Sequence, residues 1–171
     1  MKLVQKIYMV GMMGAGKSAI GRLLAEYLSY NFIDTDKLIE TQGMSIADIF
    51  TKRGEEAFRK MESDALSSCQ TMSHTVIATG GGLPCHHDNM HEMLKNGSVI
   101  YLRASVSTLV KRLRADTANR PLISGDSDTL EYEIQSLLQK RQSCYERAHH
   151  IVDTDHDEAL AVAEIVAELL T

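Results

Sequence analysis

Cysteine and proline are scarce in this sequence. The three cysteines are too few and too scattered along 171 residues for a disulfide framework, so the cytoplasm, a reducing compartment, is the expected location. There are only two prolines, and the sequence contains no repeat, low-complexity tract or linker. We therefore expect a single domain that spans residues 1–171, close to the usual domain size of about 150 residues.

The sequence also lacks a long apolar run and an excess of basic residues. Its longest uncharged stretch near the start, Ile7 to Gly16, has ten residues, whereas a membrane-spanning helix needs about 20 apolar residues. Lys2 and Lys6 precede this stretch as in a secretory signal, but the stretch leads into a more specific motif, so export is not expected. The net charge of −5 argues against a dedicated nucleic-acid binder. Neither a nucleic acid nor a membrane is therefore an expected partner.

The spacing of apolar segments predicts the fold class. Hydrophobic residues make up 44% of the chain, enough for one sizeable core. Strands are expected at 6–10, 31–34, 75–79, 98–102 and 150–152, and helices at 17–29, 45–54, 55–72, 88–95, 105–115, 130–145 and 158–170. This alternation predicts an α/β protein, a three-layer sandwich with a five-stranded parallel sheet whose ligands bind at the carboxyl ends of the strands.

The clearest motif is the segment Gly11 to Ser18, GMMGAGKS. It matches the phosphate-binding pattern G-x-x-x-x-G-K-[ST] between an expected strand and an expected helix, a context that disfavours an ordinary glycine-rich turn. Glycines let the backbone wrap around phosphates, and the helix adds the positive end of its dipole. Lys17 would reach the β- and γ-phosphates, and the Ser18 hydroxyl would bind Mg²⁺. The residues expected to bind the nucleotide here are Gly14, Ala15, Gly16, Lys17, Ser18 and Ala19.

Two aspartates, Asp34 and Asp36, follow the second expected strand. Near a phosphate loop, one carboxylate can hold Mg²⁺ through water, and the other can orient an attacking hydroxyl and accept its proton. Taken alone, the pattern is more typical of a polar turn in which an aspartate caps a helix that begins at Lys37. Both interpretations stay open at this point.

Two further features are compatible with a binding site. Arg59 and Glu62 lie three positions apart on an expected helix, so Glu62 can orient the guanidinium toward a carboxylate ligand. A solvated surface ion pair is the more frequent meaning of this spacing. Gly80 to Gly82 follow the third strand, where they either allow a close approach to backbone N–H groups or form a flexible turn.

Together, the motifs resemble those of the shikimate kinase family, small P-loop kinases of the nucleoside monophosphate kinase type. The similarity runs nearly from end to end, and the order of the motifs makes it specific. The motifs are Gly11 to Ser18, FIDTD at 32–36, SIADIF at 45–50, Phe58-Arg59 with Glu62, Gly80 to Gly82, Arg120-Pro121-Leu122, Lys140-Arg141 with Tyr145, and Val152-Asp153-Thr154.

The resemblance implies a substrate site. Asp36 would bind shikimate hydroxyls and help to activate the 3-hydroxyl. Arg59 and Arg141 would grip the shikimate carboxylate, which a guanidinium matches in a fork geometry. Gly81, together with Gly82, would donate backbone N–H groups to the substrate.

The resemblance also implies a nucleotide site and a lid. Asp34 would lie near Mg²⁺, and Arg120 would close over the phosphates from a lid at about 116–127. The loop that contacts the adenine would begin at 152–154. His156 departs from the family pattern, since many members carry an arginine near this position, and it is the expected contact to the nucleotide here.

The implied reaction is phosphoryl transfer from ATP to the 3-hydroxyl of shikimate, which gives shikimate 3-phosphate and ADP in aromatic amino acid biosynthesis. The catalytic residues would be Lys17, Asp36 and Arg120, the cofactor Mg²⁺, and the enzyme a monomer. A kinase for another small metabolite, such as gluconate, would share the phosphate loop and lid but need different acceptor residues. A GTPase would be expected to carry N-K-x-D and D-x-x-G motifs, which do not occur in this sequence.

Residues 84–87 form a local variant after the glycines. His87 and His91 have the spacing of a metal-binding pair on a helix, but surface histidines are expected because no third ligand is evident. Cys85 lies close to the expected site, and we expect an inert thiol because no activating neighbour is evident.

Overall fold

The computed structural model describes residues 5–41, 43–115 and 127–170, in which strands and helices alternate. The strands are β1 (Lys6–Val10), β2 (Asn31–Asp34), β3 (Thr75–Ala78), β4 (Ser98–Arg103) and β5 (His150–Asp153). The helices are α1 (Lys17–Leu28), α2 (Thr35–Glu40), α3 (Ile46–Cys69), α4 (Asn89–Asn96), α5 (Val106–Ala115), α6 (Ser127–Tyr145) and α7 (Ala159–Leu169). A short 3₁₀ turn, Leu83–Cys85, follows β3. The predicted α/β class is confirmed.

The strands form one five-stranded parallel sheet, as the sequence predicted, and the structure gives their order as β2-β3-β1-β4-β5. The central strand β1 pairs with β3 and β4, and Ile7 lies between Val76 and Ser98. All of β3 and most of β1 are buried, as expected for strands that are covered on both faces. Because every strand runs in the same direction, the segments that follow β1, β2 and β3 meet at one edge of the sheet. These segments are the phosphate loop, the two aspartates and the three glycines.

Helices cover the sheet, with α1 against α7 and α5 against α6. The main core joins these helices to the sheet, and three of its largest fully buried side chains are Tyr8, Tyr101 and Tyr145. A second, smaller hydrophobic cluster lies between α2 and α3 and consists of Ile39, Ile49, Phe58 and Ala65. Within the described ranges, none of the helices combines the length and the apolar character that a membrane crossing needs.

Two elements differ locally from the sequence-based expectation. Separate helices were predicted on either side of Gly54, and the structure has one element that is interrupted there, since the φ of 82° and ψ of 171° of Gly54 are not helical. Helix α2 begins at Thr35, two residues earlier than the Lys37 start considered from the sequence. The expected lid lies outside the described residues, apart from Ser127 at the start of α6.

Candidate active site

The phosphate loop joins β1 to α1 at the carboxyl edge of the sheet. Gly11, Gly14 and Gly16 have φ values of 140°, 81° and 92°, which residues with side chains rarely adopt. Gly16 is the N-cap of α1, and no described side chain caps this helix. The first turn of α1 therefore presents backbone N–H groups and the positive end of the helix dipole to a phosphate.

Lys17 folds back along the phosphate loop. Its Nζ donates hydrogen bonds of 2.8 Å to the carbonyl oxygens of Gly11 and of Met12. The ammonium group thus lies beside the backbone that would surround a phosphate, where its charge stabilises an anion. Of the other residues predicted to bind the nucleotide, Ala15 is buried in the loop and Ala19 is exposed on the first turn of α1.

Ser18 and Asp34 connect the phosphate loop to the end of β2. Ser18 Oγ donates a 2.6 Å hydrogen bond to Asp34 Oδ2. The other oxygen, Oδ1, accepts hydrogen bonds from the backbone N–H groups of Asp36 at 3.1 Å and Lys37 at 3.3 Å. Asp34 therefore caps α2, one of the two roles that the sequence left open, while its second oxygen faces the phosphate loop. A hydroxyl and a carboxylate are hard oxygen donors, so this pair fits Mg²⁺.

Asp36 lies against the first glycine after β3. A methyl group at Gly80 would lie 2.5 Å from Asp36 Oδ1 and 2.9 Å from Glu62 Oε1, closer than a side chain tolerates. The N–H of Gly80 donates a 2.9 Å hydrogen bond to Thr35 Oγ1, which ties the end of β3 to α2. The absence of a side chain at Gly80 therefore lets two carboxyl groups approach the end of β3.

Arg59 is held in place by two glutamates of α3. Its Nη1 donates to Glu62 Oε2 at 2.7 Å, and its Nη2 donates to Glu55 Oε1 at 2.9 Å. The side chains of Arg59 and Glu62 are 12% and 1% exposed, so this is not the solvated ion pair that the spacing most often indicates. Burial raises the pKa of Glu62 above its ordinary value, although Arg59 offsets part of the shift, and the nearby Asp36 adds to it.

Both predicted substrate arginines lie against the glycine segment. A methyl group at Gly82 would lie 2.5 Å from Arg59 Nη1, and one at Gly81 would lie 3.4 Å from Arg141 Nη1. Arg141 Nη1 is buried and has no hydrogen-bond partner among the described residues. The N–H groups of Gly81 and Gly82 likewise have no acceptor in the part of the chain that the structure describes. These four residues and Asp36 form a cluster suited to an anionic ligand, which we call the acid pocket.

The acid pocket borders the phosphate loop. A methyl group at Gly81 would lie 3.5 Å from the backbone nitrogen of Met13 and 3.6 Å from the carbonyl oxygen of Gly11. The Tyr145 hydroxyl donates a 2.6 Å hydrogen bond to the Gly81 carbonyl oxygen and lies 3.7 Å from Met12 Sδ. The acid pocket and the phosphate loop are therefore direct neighbours.

Sequence reasoning missed how Tyr145 contacts the site. The residue was part of the family motif, but no role was predicted for its hydroxyl. Its spacing of four residues from Arg141 places the two side chains on one face of α6, and this was the available signal.

The expected adenine loop follows β5 at the same edge of the sheet. The strand extends through Asp153, so the loop begins at Thr154, later than predicted. Thr154 is fully buried, and Arg112 donates hydrogen bonds to its hydroxyl at 3.1 Å and to its carbonyl oxygen. His156 is exposed, and its contact with the nucleotide stays a prediction. Arg120 lies outside the described residues, so its place at the phosphates also stays a prediction.

The two histidines with metal-pair spacing do not share a helix. His87 precedes α4 and has a φ of 51°, whereas His91 lies within α4, so the pair geometry does not form. The interaction with the Cys144 thiol, together with burial, raises the pKa of Cys85 well above its usual range. The neutral form of Cys85 is thus favoured, which agrees with an inert thiol.

Sequence comparison identifies the family. The family model for shikimate kinase matches residues 13–171. The shikimate kinase of Sulfurihydrogenibium sp. is 38% identical over 169 residues, which cover 98% of this chain and 97% of that protein. The resemblance found in the motifs therefore extends over the whole described site.

Comparison with solved structures supports the same family. The shikimate kinase from Acinetobacter baumannii, solved in complex with shikimate, has a TM-score of 0.89 at 36% identity and covers 97% of this chain and 92% of its own. A gluconokinase from Sinorhizobium meliloti has a TM-score of 0.65 at 20% identity, covers 99% of this chain and 97% of its own, and shares the fold alone. With its family model and its relatives in agreement, the chain belongs to the shikimate kinase family.

Proposed function

We propose that this protein transfers the γ-phosphoryl group of ATP to the 3-hydroxyl of shikimate, which yields shikimate 3-phosphate and ADP. The observation that carries this proposal is the position of the acid pocket directly beside the phosphate loop. From one cleft, a hydroxylated carboxylic acid presents its anion to the arginines and a hydroxyl nucleophile to the loop. Family membership and the relative solved with shikimate support this choice of acid.

On the donor side, the phosphate loop would bind ATP through its backbone N–H groups. The Lys17 ammonium would exchange its carbonyl partners in the loop for phosphate oxygens and stabilise charge on the transferred group. Ser18 and Asp34 would hold Mg²⁺, which supplies further positive charge when it is bound. Arg120 would add another cation at the phosphates.

On the acceptor side, Arg59 and Arg141 would bind the shikimate carboxylate, and the glycine N–H groups would orient the ligand. Glu62 holds the Arg59 guanidinium before the ligand arrives, so less conformational freedom is lost on binding. Asp36 would hold the acceptor hydroxyl in line with the phosphoryl group and accept its proton as the new O–P bond forms.

The rival acceptor is gluconate, which is also a hydroxylated carboxylate. A coupled assay of ADP release, run with shikimate, with gluconate and without an acceptor, separates the two. We expect turnover with shikimate and little ADP release in the other two reactions. Turnover with gluconate but not with shikimate would refute the proposal. The Lys17→Ala variant, prepared in the same way, shows whether the ADP release comes from this protein.

We also infer a monomer with one domain. The acid pocket and the phosphate loop are both built from residues of a single chain, so this site needs no second copy. All three cysteines are free thiols, which suits a reducing compartment such as the cytoplasm. Light scattering during gel filtration should give the mass of one chain, with and without shikimate.

A further inference from the structure

Tyr145 occupies a position between the acid pocket and the phosphate loop. It is the last residue of α6, one helical turn after Arg141, and its side chain is fully buried. Its ring packs on Tyr101, with 5.1 Å between the ring centroids. Burial raises the pKa of Tyr145 well above its usual value, so the hydroxyl stays protonated and acts as a donor.

The hydroxyl of Tyr145 fixes one particular peptide unit. It donates a 2.6 Å hydrogen bond to the carbonyl oxygen of Gly81. In a trans peptide, this carbonyl and the N–H of Gly82 point in opposite directions, so the bond also sets the direction of that N–H. Two adjacent glycines leave the backbone unusually free to rotate, and this one bond removes much of that freedom. A bond to the carbonyl also polarises the peptide and strengthens its N–H as a donor.

The same hydroxyl touches the phosphate loop. It lies 3.7 Å from Met12 Sδ, and the carbonyl oxygen of Met12 accepts a 2.8 Å hydrogen bond from Lys17. Tyr145 is therefore in contact with both the donor side and the acceptor side of the cleft. Arg141, on the same face of α6, supplies a guanidinium to the acceptor side.

We propose that Tyr145 is a positioning residue, whose hydroxyl holds the Gly81–Gly82 peptide so that the Gly82 N–H is presented to the bound acid at a fixed distance from the phosphate loop. This role rests on the proposed function, because the acid is the acceptor that the peptide orients. In this role Tyr145 acts through the glycine peptide.

The first test compares Tyr145→Phe with Tyr8→Phe. Tyr8 is an equally buried tyrosine on β1 whose hydroxyl has no hydrogen-bond partner among the described residues, so it controls for the loss of a buried hydroxyl. In Tyr145→Phe, the KM for shikimate is expected to rise about tenfold, since the Gly81 carbonyl loses its partner. The KM for ATP should stay within about twofold of the unsubstituted value, and Tyr8→Phe should change neither.

The outcomes separate this inference from the proposed function. If the unsubstituted protein phosphorylates shikimate and Tyr145→Phe does so with an unchanged KM for shikimate, the positioning role is wrong and the function stands. Equal rises in the KM for ATP and for shikimate would show a merely structural role and would also overturn it. If the unsubstituted protein does not phosphorylate shikimate, both proposals fail.

A second measurement needs no variant. In the unsubstituted protein, labelled with ¹⁵N on glycine only, shikimate is added and the amide resonances are followed by NMR. The Gly82 resonance is expected to shift strongly, while that of Gly97, between α4 and β4 at the opposite edge of the sheet, should not move. A Gly82 resonance that does not respond to shikimate overturns the proposal, even if Tyr145→Phe does not fold.

Discussion

The guanidinium of Arg59 donates a 2.7 Å hydrogen bond from Nη1 to Oε2 of Glu62, whose side chain is 1% exposed. The carboxylate is too deeply buried to find water in place of the arginine. Removing one partner of such a pair leaves an uncompensated buried charge, which costs about 3–5 kcal/mol. The pair therefore aims Arg59 at the acid pocket with little freedom to swing away.

The Arg59→Ala variant is expected to raise the KM for shikimate by about 30-fold or more, since losing one partner of a buried charged hydrogen bond costs at least about 2 kcal/mol. The KM for ATP should change little. Lys60→Ala, at the exposed neighbouring position of α3, is the matched control. Steady-state kinetics with both substrates measures the effect, and an unchanged KM for shikimate would remove Arg59 from the acid pocket.

Glu62→Gln tests the raised pKa of Glu62. The folded protein holds the proton of the Glu62 carboxyl group more tightly than an ordinary glutamate of pKa 4.5 does. Protonation of Glu62 therefore stabilises the folded state, and this contribution is complete below about pH 4.5. It is lost as the pH rises through the higher folded-state pKa. Above about pH 4.5, the free energy of unfolding of the unsubstituted protein should therefore fall relative to that of Glu62→Gln.

Urea unfolding at several pH values measures this difference. Glu56→Gln, at an exposed position of α3, controls for the change in net charge. A difference between the Glu62→Gln and unsubstituted proteins that stays constant with pH contradicts the raised pKa.

Asp36→Asn preserves the size of the side chain and removes its capacity to accept a proton. The kcat is expected to fall by about 10²- to 10⁴-fold, the usual contribution of a general base. The KM for shikimate should change much less, because an amide oxygen still accepts a hydrogen bond from a hydroxyl. Asp64→Asn, at an exposed site on α3, serves as the control. Activity near that of the unsubstituted protein would exclude Asp36 as the proton acceptor.

Gly82→Ala tests the close approach of Arg59 to the glycine segment. The φ of −82° and ψ of −25° at Gly82 suit alanine, so the backbone is not strained and any effect comes from the added methyl group. That methyl group would lie 2.5 Å from Arg59 Nη1 and must displace the guanidinium. We expect kcat/KM for shikimate to fall about 100-fold, as for a misplacement of about 1 Å. An unchanged kcat/KM would mean that Arg59 can move without consequence.

Features that depend on neighbouring residues were predictable from the sequence. The phosphate loop is specified by residues 11–18, and the flanking strand and helix follow from hydrophobic spacing. Gly54 marked the interruption of α3 because glycine alone adopts its backbone angles easily. The start of α2 was placed too late, since Asp34 caps the helix directly from the last position of β2.

Features that depend on distant residues were not predictable from local pattern. Nothing in the spacing of Arg59, Gly82 and Arg141 sets their distances, and the family resemblance was needed to place them in one pocket. The contact of the Tyr145 hydroxyl could not be predicted from local pattern either, because its partner Gly81 is 64 residues away in the sequence. The thiol contact between Cys85 and Cys144 likewise exists only after α6 packs on the 3₁₀ turn.

The small hydrophobic cluster between α2 and α3 is distinct from the core beneath the sheet. Asp36 and Arg59 stand on the two helices that enclose it, whereas Arg141 stands on α6, which packs into the larger core. An acid bound by both arginines would link the small α2–α3 cluster to the main core, which pack separately from each other. Backbone amides of α2 and of the first turns of α3 should then exchange with deuterium more slowly in the presence of shikimate, while those of β1 keep their rate.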